Sequence, residues 1–135
     1  MTPKIISTIA DIDIFKLSQM YSQSSIGTKD PNLLATAISK SHKSIAIELN
    51  NEYIAAGRSI SDGKYTFIIE LVVLEKFNKK GYGKLIFEEL LKGEDKNFVY
   101  LNSTWEAEDF YKKMGFKKQK TGYARYPFSS DYLSE

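Results

Sequence analysis

An α/β (α+β) domain, with a mixed, mostly antiparallel central sheet and helices on both faces, is predicted by three observations on this sequence. Helical periodicity comes first, with apolar residues at Ile14, Leu17 and Tyr21 and again at Leu34, Ala37 and Ile38. The period then becomes that of strands from Ser44 to Leu74, broken at Asn50-Asn51 and Asp62-Gly63, as an antiparallel meander requires. Beyond it strand, helix, strand, helix and strand follow in turn, an order that covers both faces of one sheet.

The size fits one domain spanning residues 1–135. With 42% hydrophobic and 13% aromatic residues, a core forms without disulfide or metal staples. There is no cysteine, which excludes thiol nucleophiles, thiolate zinc sites and disulfides and favours a cytoplasmic protein. The formal net charge of +2 is too small for a nucleic-acid-coating surface, so any anion site is local. The longest apolar run, Phe67 to Leu74, is interrupted by Glu70 and is far shorter than a membrane span, and the N-terminal residues lack the features of a signal peptide.

Each element has its own signal. Ile5-Ile6 is a short apolar start, and Asp11 caps a first helix ending near Ser24. Asp30-Pro31 reads as N-cap and first residue of a second helix. Ile45 to Leu49 and Tyr53 to Ile60 form a hairpin around Asn50-Asn51. In Tyr65 to Leu74, Tyr65, Phe67, Ile69, Leu71 and Val73 are expected on one face and Thr66, Ile68, Glu70 and Val72 on the other, apolar on both sides as in a central strand. Leu85, Ile86, Leu90 and Leu91 mark a helix that stops at Gly93, and Phe98 to Leu101 reads as a buried strand. Ser103-Thr104-Trp105-Glu106 has the capping-box form, so a helix is expected from there to Met114 with Gly115 as its left-handed stop. Phe116 opens an extended segment, Lys117 to Pro127, broken at Thr121-Gly122 and followed by a loose tail.

Three features carry chemistry. Phe77-Asn78-Lys79-Lys80-Gly81-Tyr82-Gly83-Lys84 lies between strand and helix, where free amide N–H groups, glycine and lysine charge together suit a phosphate. A solvated tight turn is the plain alternative. A Walker A loop fails at Asn78 and Leu85, and a dinucleotide fingerprint fails at Ile86. Glu70 is a lone carboxylate in an apolar strand, either used as a proton acceptor or paired with a cation. Tyr111 is either core packing or a phenol able to protonate a thiolate. His42 stands alone, so no metal site is expected.

In order and spacing, Ile69 to Val73, Asn78 to Gly83, Leu101-Asn102-Ser103, Ala107, Phe110-Tyr111 and Gly115-Phe116 resemble the GNAT superfamily of acyl-CoA-dependent N-acetyltransferases. The match covers about residues 44 to 118. The family loop Gln/Arg-x-x-Gly-x-Gly/Ala aligns with Asn78 to Gly83, with Asn78 the one departure. The resemblance implies that the loop Asn78-Lys79-Lys80-Gly81-Tyr82-Gly83-Lys84 holds the pyrophosphate of coenzyme A, and that Leu71-Val72-Val73-Leu74 runs beside its pantetheine arm. It implies that the fourth and fifth strands splay, with Val99 to Ser103 across from Glu70 and Val72. Thr104 stands where many members carry Asn, and Asn102 and Ser103 are expected to supply the polar contact instead. Tyr111 falls where many members carry the tyrosine that protonates the departing thiolate, and Glu70 where some place the general base.

The function so implied is direct transfer of an acetyl group from acetyl-CoA to the amine of a small molecule or peptide, with no metal. The partners are then acetyl-CoA and an amine acceptor, with a homodimer open and neither nucleic acid nor membrane expected. Two other readings compete: a non-catalytic acyl-CoA-binding or sensing module on the same fold, and a nucleic-acid-binding module using Lys79, Lys80, Lys84 and Lys117 to Lys120.

Overall fold

The computed structural model describes residues 2–134, which fall into two compact units divided between Asn102 and Ser103. The first unit holds a five-stranded sheet in chain order: β1 (Lys4–Ile6), β2 (Lys43–Leu49), β3 (Glu52–Ser61), β4 (Tyr65–Val73) and β5 (Phe98–Leu101). Pairing is antiparallel from β1 to β4 and parallel between β4 and β5. Helices α1 (Ile14–Ser22) and α2 (Pro31–Ser39) precede β2, and α3 (Tyr82–Leu91) connects β4 to β5. The mixed, mostly antiparallel sheet is the one the sequence predicts.

α1 and α2 cover one face. Leu17, Met20, Tyr21, Leu34 and Ile38 are buried there with Ala46, Tyr53, Ala56 and Val72 of the sheet. α3 lies on the other face, so close at Gly57 that a Cβ there would stand 3.0 Å from Ile86 and 3.2 Å from Leu90. The first helix starts later than expected. Asp13, not Asp11, accepts the Lys16 amide as its cap, and Asp11 ends a short 3₁₀ turn instead. Asp30 caps α2 through the amides of Asn32 and Leu33, with Pro31 at its first position.

Strict alternation along β4 fails at Glu70. Arg58 pairs with Ile69 and Ala56 with Val72, so Gly57 faces both Glu70 and Leu71 in a β-bulge, and Glu70 takes a positive φ of 56°. The two halves of the strand therefore present opposite parities to α3. Thr66 reaches Glu94 just beyond α3, whereas Val73 lies 3.4 Å from where Gly83 of α3 would carry a Cβ. Sequence periodicity, which assumes an unbroken pleat, puts Phe67, Ile69 and Leu71 on one face and cannot register the extra residue. β5 also departs from the expected buried strand: it is the sheet edge, with Phe98 55% exposed and stacked on Tyr65 at 5.1 Å between ring centroids.

Where α3 ends, Lys43 of β2 donates to the carbonyls of Glu89, Leu90 and Lys92, the first of which also accepts the Lys92 amide. Its ammonium also lies 3.7 Å from the buried carboxylate of Glu94, which His42 approaches at 3.5 Å and to which Thr66 and Asn97 donate. Burial raises the proton affinity of Glu94, but the bonds from Thr66 and Asn97 and the charges of Lys43 and His42 outweigh it, and its pKa is lowered. A carboxylate with a folded-state pKa below its unfolded value stabilises the fold above the unfolded value and loses that contribution as pH falls through the folded one. Urea unfolding is therefore expected to show stability declining below the ordinary glutamate range, with a flatter decline in Glu94→Gln.

The second unit contains a 3₁₀ turn at Trp105–Ala107 and α4 (Glu108–Lys113). The expected capping box does not form. The Ser103 hydroxyl donates to the carbonyl of Thr104, and no side chain caps the turn, so the regular helix begins only at Glu108. Gly115 ends it with φ of 90°, as expected. Residues 117–127 form no strand, in contrast to expectation; the lysines of that segment and Gly122 are exposed.

Candidate active site

β5 pairs only with Tyr65 to Ile68, so from Ile69 to Val73 the main chain of β4 has a sheet neighbour on the β3 side alone. Val99 to Leu101 thus sit beside Thr66 to Ile68, below the level of Glu70, rather than across from it as expected. Asn102, exposed, follows directly on the last paired residue. The strands stop pairing just where the bulge occurs. Unpaired β4 main chain of this kind can bond the amides of an extended ligand.

Leu71, Val72, Val73 and Leu74 continue along this open length; Val72 is buried against α1 and α2, and the Leu74 amide bonds back to Ile54. A 3₁₀ turn at Glu75–Phe77 then leads through Asn78 to α3. Lys79 and Gly81 both have positive φ, 63° and 87°. Gly81 is the N-cap and offers no side chain, so the first amides of α3, at Tyr82, Gly83 and Lys84, have neither helical nor side-chain partners. A Cβ at Gly81 would meet nothing within 4 Å, so the approach to these amides is open. Lys76 and Lys80 lie over the Phe77 ring at 5.9 and 5.8 Å, and Lys79, Lys80 and Lys84 are exposed around the loop. Open amides, a helix N-terminus and ammonium groups make a cradle for a polyanion.

Glu70 is held on both carboxylate oxygens. Oε1 accepts from Arg58 Nε at 2.7 Å, and Oε2 accepts from the Thr28 amide at 2.6 Å and the Thr28 hydroxyl at 2.8 Å. Its carbonyl takes the hydroxyl of Tyr21 at 3.0 Å. Burial raises the Tyr21 phenol far above its ordinary value, the Glu70 charge adding to the effect, so it stays a donor. The ion pair is largely buried, with 10% and 16% of the two side chains exposed.

Arg58 and Thr28 were not singled out by sequence reasoning, yet one signal was there. Arg58 is a lone cation in an apolar strand, and counting back through the Asp62-Gly63 turn brings it opposite residue 69, next to Glu70. Thr28 carries no such signal, since its partner is 42 residues away across the fold.

In the second unit Tyr111 is half-buried on α4, its ring edge-on to Phe110 at 5.1 Å between centroids. Burial lifts its phenol above the ordinary value, so it is protonated across the physiological range. Ser103 is half-buried with its hydroxyl turned to the Thr104 carbonyl. Among the described residues no cluster of three or more His, Cys, Asp or Glu could hold a metal ion, and no helix is long and apolar enough to cross a membrane.

Known proteins share this fold. The chain resembles a probable acetyltransferase of unknown function from meticillin-resistant Staphylococcus aureus (20% identity, TM-score 0.80, covering 93% of this chain and all of the other). A GNAT-family acetyltransferase from Streptococcus pneumoniae shares 19% identity at a TM-score of 0.77, covering 96% of this chain and 99% of the other. Glucosamine-6-phosphate N-acetyltransferase from Arabidopsis thaliana shares 20% at 0.72, covering 95% and 100%. At these identities the likeness is one of fold. No curated protein matches the chain. Residues 40–118 match the acetyltransferase (GNAT) domain, a span reaching from the end of α2 past α4 and including β2 to β5, and the chain accordingly belongs to the GNAT acetyltransferase family.

Proposed function

We propose that the protein moves an acetyl group from acetyl-CoA to an amine by direct transfer. The observation that carries this reading is the continuity of open β4 main chain with an uncapped, lysine-flanked helix N-terminus, which suits a ligand with an extended amide-bearing arm and a pyrophosphate. Leu71 to Leu74 take the arm, and the amides from Lys79 to Lys84 take the pyrophosphate. Asn78, where the family favours Gln or Arg, contributes at most a side-chain contact, and Asn102 and Ser103 serve as further polar contacts to the donor.

The donor supplies an activated thioester carbonyl. Glu70, directly or through a water, accepts a proton from the acceptor's ammonium, so that the neutral amine can attack. The carbon–nitrogen bond forms as the carbon–sulfur bond breaks, Tyr111 gives its proton to the departing thiolate, and the second proton lost from the attacking nitrogen returns through water to the tyrosinate, while Glu70 releases the first to solvent. A main-chain N–H near Val72 meets the charge that develops on the carbonyl oxygen.

Calorimetric titration with acetyl-CoA, coenzyme A and ATP tests the donor site. Saturable binding of the first two and not of ATP is expected, followed by thiol release with members of a panel of amines; the cysteine-free chain adds no background to that assay. Coenzyme binding without turnover on any amine would favour a sensing module instead. Gly81→Val is expected to weaken acetyl-CoA binding about 10-fold or more, because a branched Cβ disfavours the positive φ and crowds the cradle.

A further inference from the structure

The contacts of Glu70 reach further than a base alone requires. We propose that Arg58 and Thr28 are positioning residues for proton acceptance at Glu70: they fix its carboxylate in one orientation and tie that orientation to the segment between α1 and α2. The inference rests on the reading of Glu70 as the proton acceptor.

A carboxylate oxygen has two in-plane acceptor directions. Oε2 already accepts two bonds, from the Thr28 amide and hydroxyl, and Oε1 only one, from the Arg58 Nε, so an incoming proton is directed to Oε1. Rotation of the carboxylate would break all three bonds, one of them charge-assisted, inside a largely buried site.

The partners are themselves anchored. Arg58 Nη1 donates to Ser41 Oγ at 3.3 Å, and Ser41 donates to the Ala37 carbonyl at 2.8 Å, so the guanidinium is held to the C-terminal end of α2. Thr28 stands just before the N-terminal end of the same helix. Glu70 therefore reads the placement of α2 at both ends. Arg58 from β3 and the Tyr21 phenol from α1 are ionisable groups that face Glu70, the second at its main-chain carbonyl, and the segment between α1 and α2 contributes the neutral Thr28. A ligand that displaces this segment would change the direction of the carboxylate.

The test compares the pH dependence of kcat/KM, with the amine of highest turnover as acceptor, in the wild type, Glu70→Gln, Arg58→Met, Arg58→Lys and Thr28→Val. The carboxyl ¹³C resonance of Glu70, assigned by its loss in Glu70→Gln, is titrated in parallel in the free protein. Loss of an opposite charge at this distance is expected to move the acid limb and the NMR midpoint of Arg58→Met upward together by about one pH unit or more, and Arg58→Lys returns both part of the way. Thr28→Val, which keeps the amide and removes only the hydroxyl, shifts both upward by about half a unit and lowers kcat several-fold without changing acetyl-CoA affinity. An acid limb that persists in Glu70→Gln defeats the base assignment itself. A limb that vanishes in Glu70→Gln but stays fixed in the Arg58 and Thr28 variants overturns the positioning role and leaves the base in place. Should Arg58→Met not fold, Arg58→Lys and Thr28→Val decide by the same criterion.

Discussion

Tyr111→Phe is expected to lower kcat by about 100-fold or more, the usual worth of a general acid, while leaving the dissociation constant for acetyl-CoA unchanged. The substitution removes one hydroxyl and keeps the ring. The amides of Met114 and Phe116 bond to the main-chain carbonyl of residue 111, so the end of α4 and its turn persist. The edge contact with Phe110 needs only the ring. Because burial holds the phenol protonated through the physiological range, the loss should be uniform with pH there, in contrast to the pH-dependent loss expected on removing Glu70. Steady-state rates at several pH values, with calorimetry on the same preparation, give the answer. A kcat within a factor of about two of wild type removes Tyr111 from the chemistry.

Gly27→Ala is expected to be the most damaging single-methyl change in the segment between α1 and α2. Gly27 has φ of 96°, and a Cβ there would lie 2.2 Å from Cδ1 of Tyr21 and 2.6 Å from Cγ. The ring cannot yield easily, since Tyr21 is 1% exposed and its hydroxyl is tied to the Glu70 carbonyl. Left-handed strain and overpacking together predict a loss of about 2–4 kcal/mol in urea unfolding. Any relief comes from lifting the segment off the ring, which carries Thr28 away from Glu70. Stability and turnover should therefore fall together. A variant as stable as the wild type would show that the segment does not depend on its close approach to Tyr21.

The turn proposed to hold the donor was legible as a strand-to-helix turn because it is local. The turn, its glycines and its lysines are contiguous, and the role proposed for them rests on main-chain groups that any helix N-terminus exposes. The hairpins were legible through Asn50-Asn51 and Asp62-Gly63, and all four of these residues except Asp62 take positive φ. Features set by distant partners were not. The capping-box pattern at Ser103 to Glu106 matched in type, yet the Ser103 hydroxyl found a nearer acceptor. The partners of the Glu70 carboxylate come from β3 and from the segment before α2, and of these only Arg58 left a trace in the hydrophobic pattern. Extended propensity after Phe116 was likewise insufficient, since a strand needs a partner edge as well as suitable residues.

The bulge at Glu70 also sets how the chain tolerates insertion and deletion. β4 is in effect two short strands joined out of phase, and the single extra residue is what lets Thr66 and Val73 both face α3 although they are an odd number apart. Deleting one residue between Ile69 and Leu71 would bring Thr66 and Val73 an even number apart, so a continuous pleat would leave both halves of the strand facing as they do now. Closing the bulge at full length would instead put the halves out of phase and turn one of them over. What a deletion removes is the positive-φ residue, and with it the setting of Glu70 between Arg58 and Thr28. The packing of the sheet can do without the extra residue at this point, and the carboxylate cannot.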